Sequence, residues 1–195
     1  KVSIVSDKPQ TTRTRVRGIL STPEAQVVFV DTPGLHKPVT ALGIRVNATA
    51  LDSVSDVDAV CLVIDATKPF GSGDQWVAGH LDLPASIVIV NKIDAVNKDR
   101  VLGQLSAASS LGASDYFPVS AKTGDGIPAL IAHLTSLMPE GPLYFPDDTV
   151  SDQPEEIWVA ELVREQLLAV TRDELPYSIA TRVTEWEWPR IRVEI

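Results

Sequence analysis

Three short groups of polar residues could form a ligand site, because each directly follows an apolar run. The groups are Asp31-Thr32-Pro33-Gly34, Asn91-Lys92-Ile93-Asp94 and Ser120-Ala121-Lys122. In an open parallel sheet, ligands bind beyond the carboxyl ends of the strands. A D-x-x-G match alone arises often by chance, whereas N-K-x-D and S-A-K are rare, and their occurrence together at strand ends is rarer still. We therefore expect a ligand site here, with ordinary turn residues as the alternative.

The apolar runs predict the strands that must position these groups. They lack polar alternation, which favours parallel strands buried on both faces, and the segments between them are long enough for crossover helices. We predict an α/β fold with a doubly wound, mostly parallel sheet. The exception is residues 17–21, which should form an antiparallel hairpin with the run at 27–30 through Thr22-Pro23-Glu24. The predicted strands cover 27–30, 59–64, 87–90 and 116–119, and the predicted helices cover 41–54, 73–80, 97–110 and 128–137.

A change in composition predicts a domain boundary after the helix that ends near Met138. Residues 141–154 are rich in proline and aspartate and should form a stiff linker. Beyond them we predict a helix over 155–172, with its apolar face formed by Val159, Leu162, Val163, Leu167 and Val170, and strands over 178–186 and 190–195. Helix, strand and strand alone bury little core, so this is part of a domain. The predicted domains are 1–140 and 155–195, joined by the linker.

Charge and composition restrict the partners. The chain has 17 basic and 26 acidic residues, for a net charge of -9, which opposes indiscriminate binding to nucleic-acid phosphates. An RNA partner would therefore need a local site. A single cysteine and the lack of any apolar run approaching the roughly 20 residues of a membrane span favour a cytoplasmic protein. Because the chain begins at Lys1 rather than Met, its lack of a signal segment says little.

The motif set resembles the translation-factor-related class of P-loop GTPases, and within it the Era family. The resemblance rests on residues 8–13 (Lys-Pro-Gln-Thr-Thr-Arg), 31–38 (Asp-Thr-Pro-Gly-Leu-His-Lys-Pro) and 174–178 (Glu-Leu-Pro-Tyr-Ser), and covers nearly the whole chain. Related Der and TrmE GTPases do not join a Leu-Pro-Tyr-Ser segment to the GTPase domain in this way. The resemblance implies a Ras-like P-loop NTPase fold followed by part of a type II KH domain.

The same resemblance assigns one set of residues to guanine. Asp94 would accept hydrogen bonds from the ring N–H and the exocyclic amine of guanine, a pattern that adenine cannot offer. Asn91 would brace the base and its loop, and Lys92 would lay its aliphatic stem on the purine face. In the Ser120-Ala121-Lys122 loop, the backbone N–H of Ala121 would reach the guanine carbonyl. The alternative is a plain turn in which Asp94 caps the next helix.

A second set is assigned to the phosphates and a magnesium ion. Asp31 would hold Mg²⁺ through water, and the backbone N–H of Gly34 would meet the γ-phosphate. One threonine hydroxyl would complete the magnesium shell, and we favour Thr12 over Thr11, with plain loop hydroxyls as the alternative. Leu35 stands where Ras-like enzymes carry a glutamine that orients water, so hydrolysis should be slow alone and depend on another residue, a monovalent cation or a partner.

Two family motifs are absent from the sequence. No G-x-x-x-x-G-K-[ST] phosphate loop occurs, and none of the 11 glycines precedes a lysine. The chain as given should therefore bind nucleotide weakly and hydrolyse none. No G-x-x-G occurs either, which puts RNA binding by a KH portion in doubt. Trp186 and Trp188 are expected to pack in a core or hairpin, with base stacking as the alternative.

The function implied is a GTP-binding and GTP-hydrolysing switch, with GTP or GDP and Mg²⁺ as cofactors. Its partners would be small-subunit ribosomal RNA and the small ribosomal subunit, whose assembly it assists. The resemblance also implies a monomer that can associate peripherally with the inner face of the cell membrane. The alternative is a non-hydrolysing GTPase scaffold that binds RNA or protein. A dinucleotide-dependent oxidoreductase is disfavoured because no G-x-G-x-x-G occurs.

Overall fold

The structure is a computed structural model that describes residues 1–6, 8, 11–35, 47, 54, 56–171 and 179–195. The described residues form two compact units. One is Leu35–Pro142, and the other joins Lys1–Gly34 to Leu143–Ile195. The predicted domain boundaries at residues 140 and 155 concern the family's domains and stay a prediction.

The strands and helices lie close to the predicted segments where those segments are described. The predicted helix at 41–54 falls almost entirely outside the described residues, as do His36, Arg172 and Ser178. The strands are β1 Val16–Ser21, β2 Gln26–Asp31, β3 Val60–Asp65, β4 Ser86–Asn91, β5 Asp115–Pro118, β6 Arg182–Glu187 and β7 Arg190–Glu194. The α-helices are α1 Ser72–Ala78, α2 Lys98–Ser109, α3 Ile127–Leu137 and α4 Glu155–Val170.

The parallel sheet lies in the Leu35–Pro142 unit. Strands β3, β4 and β5 form it in that order, and both pairings are parallel. One face packs Leu62, Ile64, Val88 and Val90 against Ala78 of α1 and Ala108 of α2. The opposite face packs Ile87, Ile89 and Val119 against Leu130 and Leu134 of α3. Central strand β4 is therefore buried on both sides, and its apolar run is explained by this sandwich.

Strand β3 departs from the prediction that both of its faces are buried. Leu62 and Ile64 face the core, but Val63 is 57% exposed and Cys61 is exposed as well. The register places Cys61 and Val63 beside Ile87 and Ile89 of β4. In the described part of the chain, β3 is one of the two edge strands of this sheet, so Cys61 and Val63 have a neighbouring strand on one side only. A continuous apolar run therefore overstated the burial of an edge strand.

The predicted hairpin is present in the second unit. Strands β1 and β2 pair antiparallel from Val16 opposite Asp31 to Ser21 opposite Gln26. The segment after α3 is hydrogen-bonded to this hairpin at residues 144, 145 and 150. The Gln26 side chain accepts the N–H groups of Tyr144 and Phe145 and donates to the Phe145 carbonyl. Further along, the N–H of Ile19 donates to the Val150 carbonyl at 3.1 Å.

Helix α4 forms where it is predicted. Four residues of its predicted apolar face, Val159, Leu162, Val163 and Leu167, are half-buried, but the most buried residues lie beside that face. Its buried residues are Ala160, Arg164 and Leu168, four positions apart, whereas Val170 of the predicted apolar face is 76% exposed. Arg164 is 2% exposed. A charged side chain can occupy a core position when neighbouring groups hydrogen-bond to it. The spacing of apolar residues in the sequence does not show such partners.

Strands β6 and β7 form the predicted antiparallel hairpin, with Trp188 and Pro189 in the turn between them. The peptide bond between these two residues is cis. Trp188 is 84% exposed and Trp186 is 38% exposed. The tryptophans therefore belong to the hairpin, which is one of the two positions expected from the sequence.

Among the described residues, no helix combines the length and the apolar character needed to cross a membrane.

Gly126 provides a test of the loop that carries Ser120. Its φ is +73°, and a Cβ there would lie 2.3 Å from the Pro118 carbonyl oxygen. Gly126→Ala should therefore lower the free energy of unfolding by about 2–4 kcal/mol, from left-handed strain and overpacking. Gly103→Ala is the matched control, because that helical position has open space around it and alanine should stabilise by about 0.5–1 kcal/mol. Urea titrations of both variants test this, and equal stability of the two would contradict it.

Candidate functional site

The side chain of Asn91, the last residue of β4, joins two of the predicted motifs. Its Oδ1 accepts the backbone N–H of Lys92 at 2.7 Å and the backbone N–H of Ala121 at 3.0 Å. Lys92 and Ala121 lie beyond the ends of β4 and β5, where a backbone N–H has no partner in the sheet. One amide oxygen thus ties the loop after β4 to the loop after β5. The Ala121 N–H assigned to a guanine carbonyl is already engaged, so it would have to be shared.

Asp94 and Ser120 form a second link between the same loops. The Ser120 hydroxyl donates to Asp94 Oδ1 at 2.7 Å and accepts the Thr123 N–H at 3.1 Å. Ser120 is fully buried, whereas Asp94 is exposed. A carboxylate has about four acceptor positions, so the bond from Ser120 orients Asp94 and leaves capacity for a ligand. Helix α2 is capped instead by Asn97, which accepts from the Arg100 N–H at 2.9 Å, so Asp94 does not have the capping role considered as the alternative.

The loop that carries Ala121 and Lys122 is closed by a glycine-containing turn. The Ser120 N–H donates to the Asp125 carbonyl at 2.9 Å, and the Gly124 N–H donates to the Ser120 carbonyl at 2.8 Å. Gly124 has a φ of +85°, which glycine adopts at no steric cost. Lys122 is exposed on this loop. These two backbone hydrogen bonds fix the position of the buried Ser120.

Sequence reasoning missed one residue of this cluster, Asp65 at the end of β3. Its Oδ2 accepts from Lys92 Nζ at 2.8 Å, and its Oδ1 accepts from the Thr67 N–H at 2.9 Å and hydroxyl at 2.6 Å. Partial burial alone would raise the pKa of Asp65, but the hydrogen bonds from Lys92 and Thr67 outweigh it and hold the pKa at about 2. Asp65 directly follows the apolar run 59–64, so the rule that selected the other strand-end residues also points to it.

The residues predicted for magnesium and phosphate lie in the other unit. Asp31 Oδ2 accepts from the Thr12 hydroxyl and from the Ser3 hydroxyl, each at 3.1 Å. The Thr11 hydroxyl instead donates to the Lys8 carbonyl at 2.7 Å. Of the two threonines, Thr12 therefore has its hydroxyl beside the Asp31 carboxylate, and its role as a magnesium ligand stays a prediction.

Hard oxygen donors of this kind suit Mg²⁺, which is commonly held by one or two carboxylates and several waters. Within the described ranges, no cluster of three or more His, Cys, Asp or Glu side chains could hold a metal by itself. The site's fit to magnesium thus rests on Asp31 and Thr12. A Cβ at Gly34 would meet nothing within 4 Å, so the packing of the protein itself does not require glycine there. Leu35, the next residue, is half-buried.

Helix α4 contacts the backbone beside these threonines. Arg164 Nη2 donates to the Thr11 carbonyl at 2.6 Å, and Nε and Nη2 donate to the Glu161 carboxylate at 2.8 and 2.5 Å. Arg13 Nη1 donates to the Ile179 carbonyl at 2.6 Å. Burial and the neighbouring Arg164 lower the pKa of Arg13, and Glu161 partly offsets this. The segment with Thr11 and Arg13 is therefore held by the C-terminal part of the same unit.

A second carboxylate of α4 fixes the start of the chain. Glu165 accepts from Lys1 Nζ at 2.5 and 2.6 Å and from the Val5 N–H at 2.7 Å. These hydrogen bonds, first from Lys1 and then from Val5, lower the pKa of Glu165. The histidines His80 and His133 make contacts within the fold. His80 Nδ1 lies 2.7 Å from the Trp76 carbonyl oxygen, and His133 Nε2 lies 3.3 Å from Asp115 Oδ2.

Comparison with known proteins first gives the class. A family described as 50S ribosome-binding GTPases matches residues 1–92. The crystal structure of the elongation factor SelB from Methanococcus maripaludis with a GTP analogue superposes with a TM-score of 0.54 over 71% of this chain at 18% identity, a likeness of fold. The chain has the P-loop GTPase fold, which confirms the predicted α/β class.

The more similar proteins define the family. "GTPase Era" of Mycobacterium tuberculosis strain H37Rv is 45% identical over 192 residues, covering 95% of this chain and 64% of the relative. A crystal structure of Era with MgGDPNP and nucleotides 1506–1542 of 16S ribosomal RNA superposes with a TM-score of 0.89, and Aquifex aeolicus Era bound to GDP and AlF4⁻ with 0.87, each at 34% identity over 95% of this chain. The chain is similar to Era GTPases over 95% of its length, which confirms the resemblance that its motifs predicted. It spans 64% of the length of these relatives.

The acid dependence of stability tests the Asp65 contacts. The pKa of Asp65 falls from an ordinary 3.8 to about 2 on folding, so its contribution is present above the ordinary value and is lost as pH falls from there towards 2. Asp65→Asn should therefore lower the free energy of unfolding at neutral pH, and the difference from the unsubstituted protein should shrink at pH near 2. Asp58→Asn, at an exposed position, is the control. Denaturant titrations across this range decide it, and a pH-independent difference would argue against the Asp65 assignment.

Proposed function

We propose that the protein to which this chain belongs is a GTP-binding and GTP-hydrolysing switch that binds small-subunit ribosomal RNA and assists assembly of the small ribosomal subunit. The observation that carries the proposal is the pair of loops braced by Asn91 and Ser120, which leaves the Asp94 carboxylate oriented and exposed. The family's crystal structures, one with MgGDPNP and 16S ribosomal RNA, support the ligand classes.

Guanine recognition follows from the chemistry of Asp94. Its carboxylate can accept from the ring N–H and the exocyclic amine of guanine at once, whereas adenine offers no matching pair of donors. The Ser120 hydroxyl holds the carboxylate before any base arrives, which reduces the ordering that binding requires. Asn91 braces the surrounding loops, Lys92 supplies an aliphatic surface, and the loop of Ala121 and Lys122 borders the base.

Thr12 and Asp31 would hold Mg²⁺, Thr12 directly and Asp31 through water, and the Gly34 N–H would meet the γ-phosphate. When bound, magnesium neutralises charge on the phosphate oxygens. The Thr12–Asp31 hydrogen bond supports this assignment, since it already places a hydroxyl beside the carboxylate at 3.1 Å. A Cβ at Gly34 would meet nothing within 4 Å, and this open space supports a close approach of the γ-phosphate to the Gly34 N–H.

Hydrolysis requires more than these residues. The Leu35 side chain can neither donate nor accept a hydrogen bond, so it orients no water, and turnover would depend on another residue, a monovalent cation or a partner. The 195 residues contain no phosphate-loop motif, so we propose that the chain as given is impaired in nucleotide binding. RNA recognition through a G-x-x-G loop likewise requires residues that this chain does not contain.

The remaining parts of the proposal concern organisation and location. Residues 1–140 would be the GTPase domain, and residues 155–195 would be part of a KH domain beyond the 141–154 linker. The protein would act in the cytoplasm as a monomer, with peripheral association at the inner face of the cell membrane. A non-hydrolysing scaffold that binds RNA or protein is the competing function, and the missing phosphate loop is its only support.

Equilibrium binding of a fluorescent guanine nucleotide tests the proposal. The titration is done with the 195-residue chain and with the complete gene product, using unlabelled ATP as competitor. We expect tight, ATP-resistant binding by the complete protein and weak or no binding by the 195-residue chain. If the complete protein binds no guanine nucleotide, the scaffold function is favoured instead.

Asp94→Asn tests the base-reading role. The amide replaces one acceptor oxygen by a donor, which fits a carbonyl on the base better than the guanine amine. The variant should bind xanthine nucleotides in preference to guanine nucleotides, measured as competition against the fluorescent probe. Asp99→Asn, at an exposed position of α2, should keep the guanine preference. Unchanged guanine selectivity in Asp94→Asn would remove Asp94 from the site.

A further inference from the structure

The Lys92 side chain is fixed at its charged end. Its Nζ donates to Asp65 Oδ2 at 2.8 Å, although 57% of the lysine side chain is exposed. An exposed lysine ordinarily samples many rotamers, and ordering it costs side-chain entropy. The Asp65 carboxylate, as acceptor for Nζ, therefore restricts the rotamers that the four methylenes of Lys92 can adopt.

The backbone end of Lys92 is fixed as well. Its φ is +67°, the only positive value for a non-glycine residue among the described residues. The N–H of Lys92 donates to Asn91 Oδ1 at 2.7 Å. In the sheet, Asp65 lies directly opposite Asn91, and the Ala66 N–H donates to the Asn91 carbonyl at 2.9 Å. The stem thus runs from the end of one strand to the end of its neighbour, between two anchored points.

Asp65 is itself held rigidly enough to act as an anchor. Two donors from Thr67 occupy Oδ1 and leave Oδ2 for Lys92. Its carboxylate is ionised at neutral pH, because its pKa is held at about 2. The ammonium of Lys92 therefore faces a permanent, oriented counter-charge.

We infer that Asp65 is a positioning residue for guanine-nucleotide binding, which holds the Lys92 ammonium so that the lysine stem is ordered before the base arrives. Lys92 then contributes through its methylene surface, while its charge is satisfied by Asp65. The inference deepens the proposed function and rests on it, because it requires that a guanine base binds at Asp94.

A double-substitution cycle on the complete gene product tests this dependence. The Kd for fluorescent GDP is measured for the unsubstituted protein, Asp65→Asn, Lys92→Ala and the double variant. Asp65→Asn should raise Kd about tenfold, the scale of one charge-assisted hydrogen bond. In the Lys92→Ala background, the same change should alter Kd by less than about twofold, since the stem it orders is gone.

Further variants separate ordering of the stem from loss of charge and from loss of structure. Lys92→Met keeps an unbranched apolar stem and should raise Kd less than Lys92→Ala does. Thr67→Ala removes one donor to Asp65 without touching Lys92, and should raise Kd about threefold. Asp58→Asn and Lys98→Met are the matched controls for removing an acid and a lysine at exposed positions, and each should change Kd by less than about twofold.

Equal effects of Asp65→Asn in the two backgrounds would overturn the inference, because Asp65 would then act independently of Lys92. No effect of Asp65→Asn in a protein that binds GDP would overturn it too. If the unsubstituted protein binds no guanine nucleotide, the proposed function fails, and the inference fails with it.

A spectroscopic measurement on the nucleotide-free protein tests the anchor itself. The Lys92 ammonium should give an observable ¹⁵N-correlated NMR signal with slowed proton exchange, and Asp65→Asn should abolish it. Rapid exchange in the unsubstituted protein would contradict the inference whatever the binding data show.

Discussion

The candidate base-binding region depends on how the backbone N–H groups beyond the sheet are satisfied. At the carboxyl end of a parallel strand the ladder stops, and N–H groups that turn away still need acceptors. Asn91 supplies one: its side-chain oxygen accepts from Lys92 and from Ala121, so a single amide fixes the loops after β4 and β5 together. The Ser120 hydroxyl also makes two bonds: it donates to Asp94 Oδ1 and accepts from the Thr123 N–H. The ligand-facing groups are held by bonds that form without a ligand.

A buried charge organises the other unit. Arg164 is almost fully inaccessible to water, and its guanidinium is balanced by Glu161 and by the Thr11 carbonyl. Its Nη1 is buried and has no hydrogen-bond partner among the residues that the structure describes. Removing a charged group from water is costly unless donors and acceptors match closely. The segment with Thr11 therefore lies where α4 needs an acceptor, and the helix and that segment constrain each other.

These two arrangements mark where reasoning from the sequence succeeded and where it did not. The apolar run before Asn91 predicted β4 because both faces of a central strand are apolar. The same reasoning overestimated burial at Val63, since an edge strand shares the composition of a central one. It also did not foresee the burial of Arg164 in α4, because hydropathy does not register a hydrogen-bond partner that lies far away in the chain. Asp65 was missed although its position after an apolar run matched the others, because it belongs to no recognised motif.

The predicted site residues divide between the two units in a way that follows their proposed chemistry. Asn91, Asp94 and Ser120 belong to the unit with the parallel sheet, and their bonds are made to neighbouring strand ends. Thr12 and Asp31 belong to the unit that contains α4, and the backbone beside Thr12 is held by Arg164. Under the proposed function, base identity is read by groups whose geometry the sheet determines. The γ-phosphate would be met from the other unit, in which the Thr11 carbonyl accepts a hydrogen bond from Arg164 of α4.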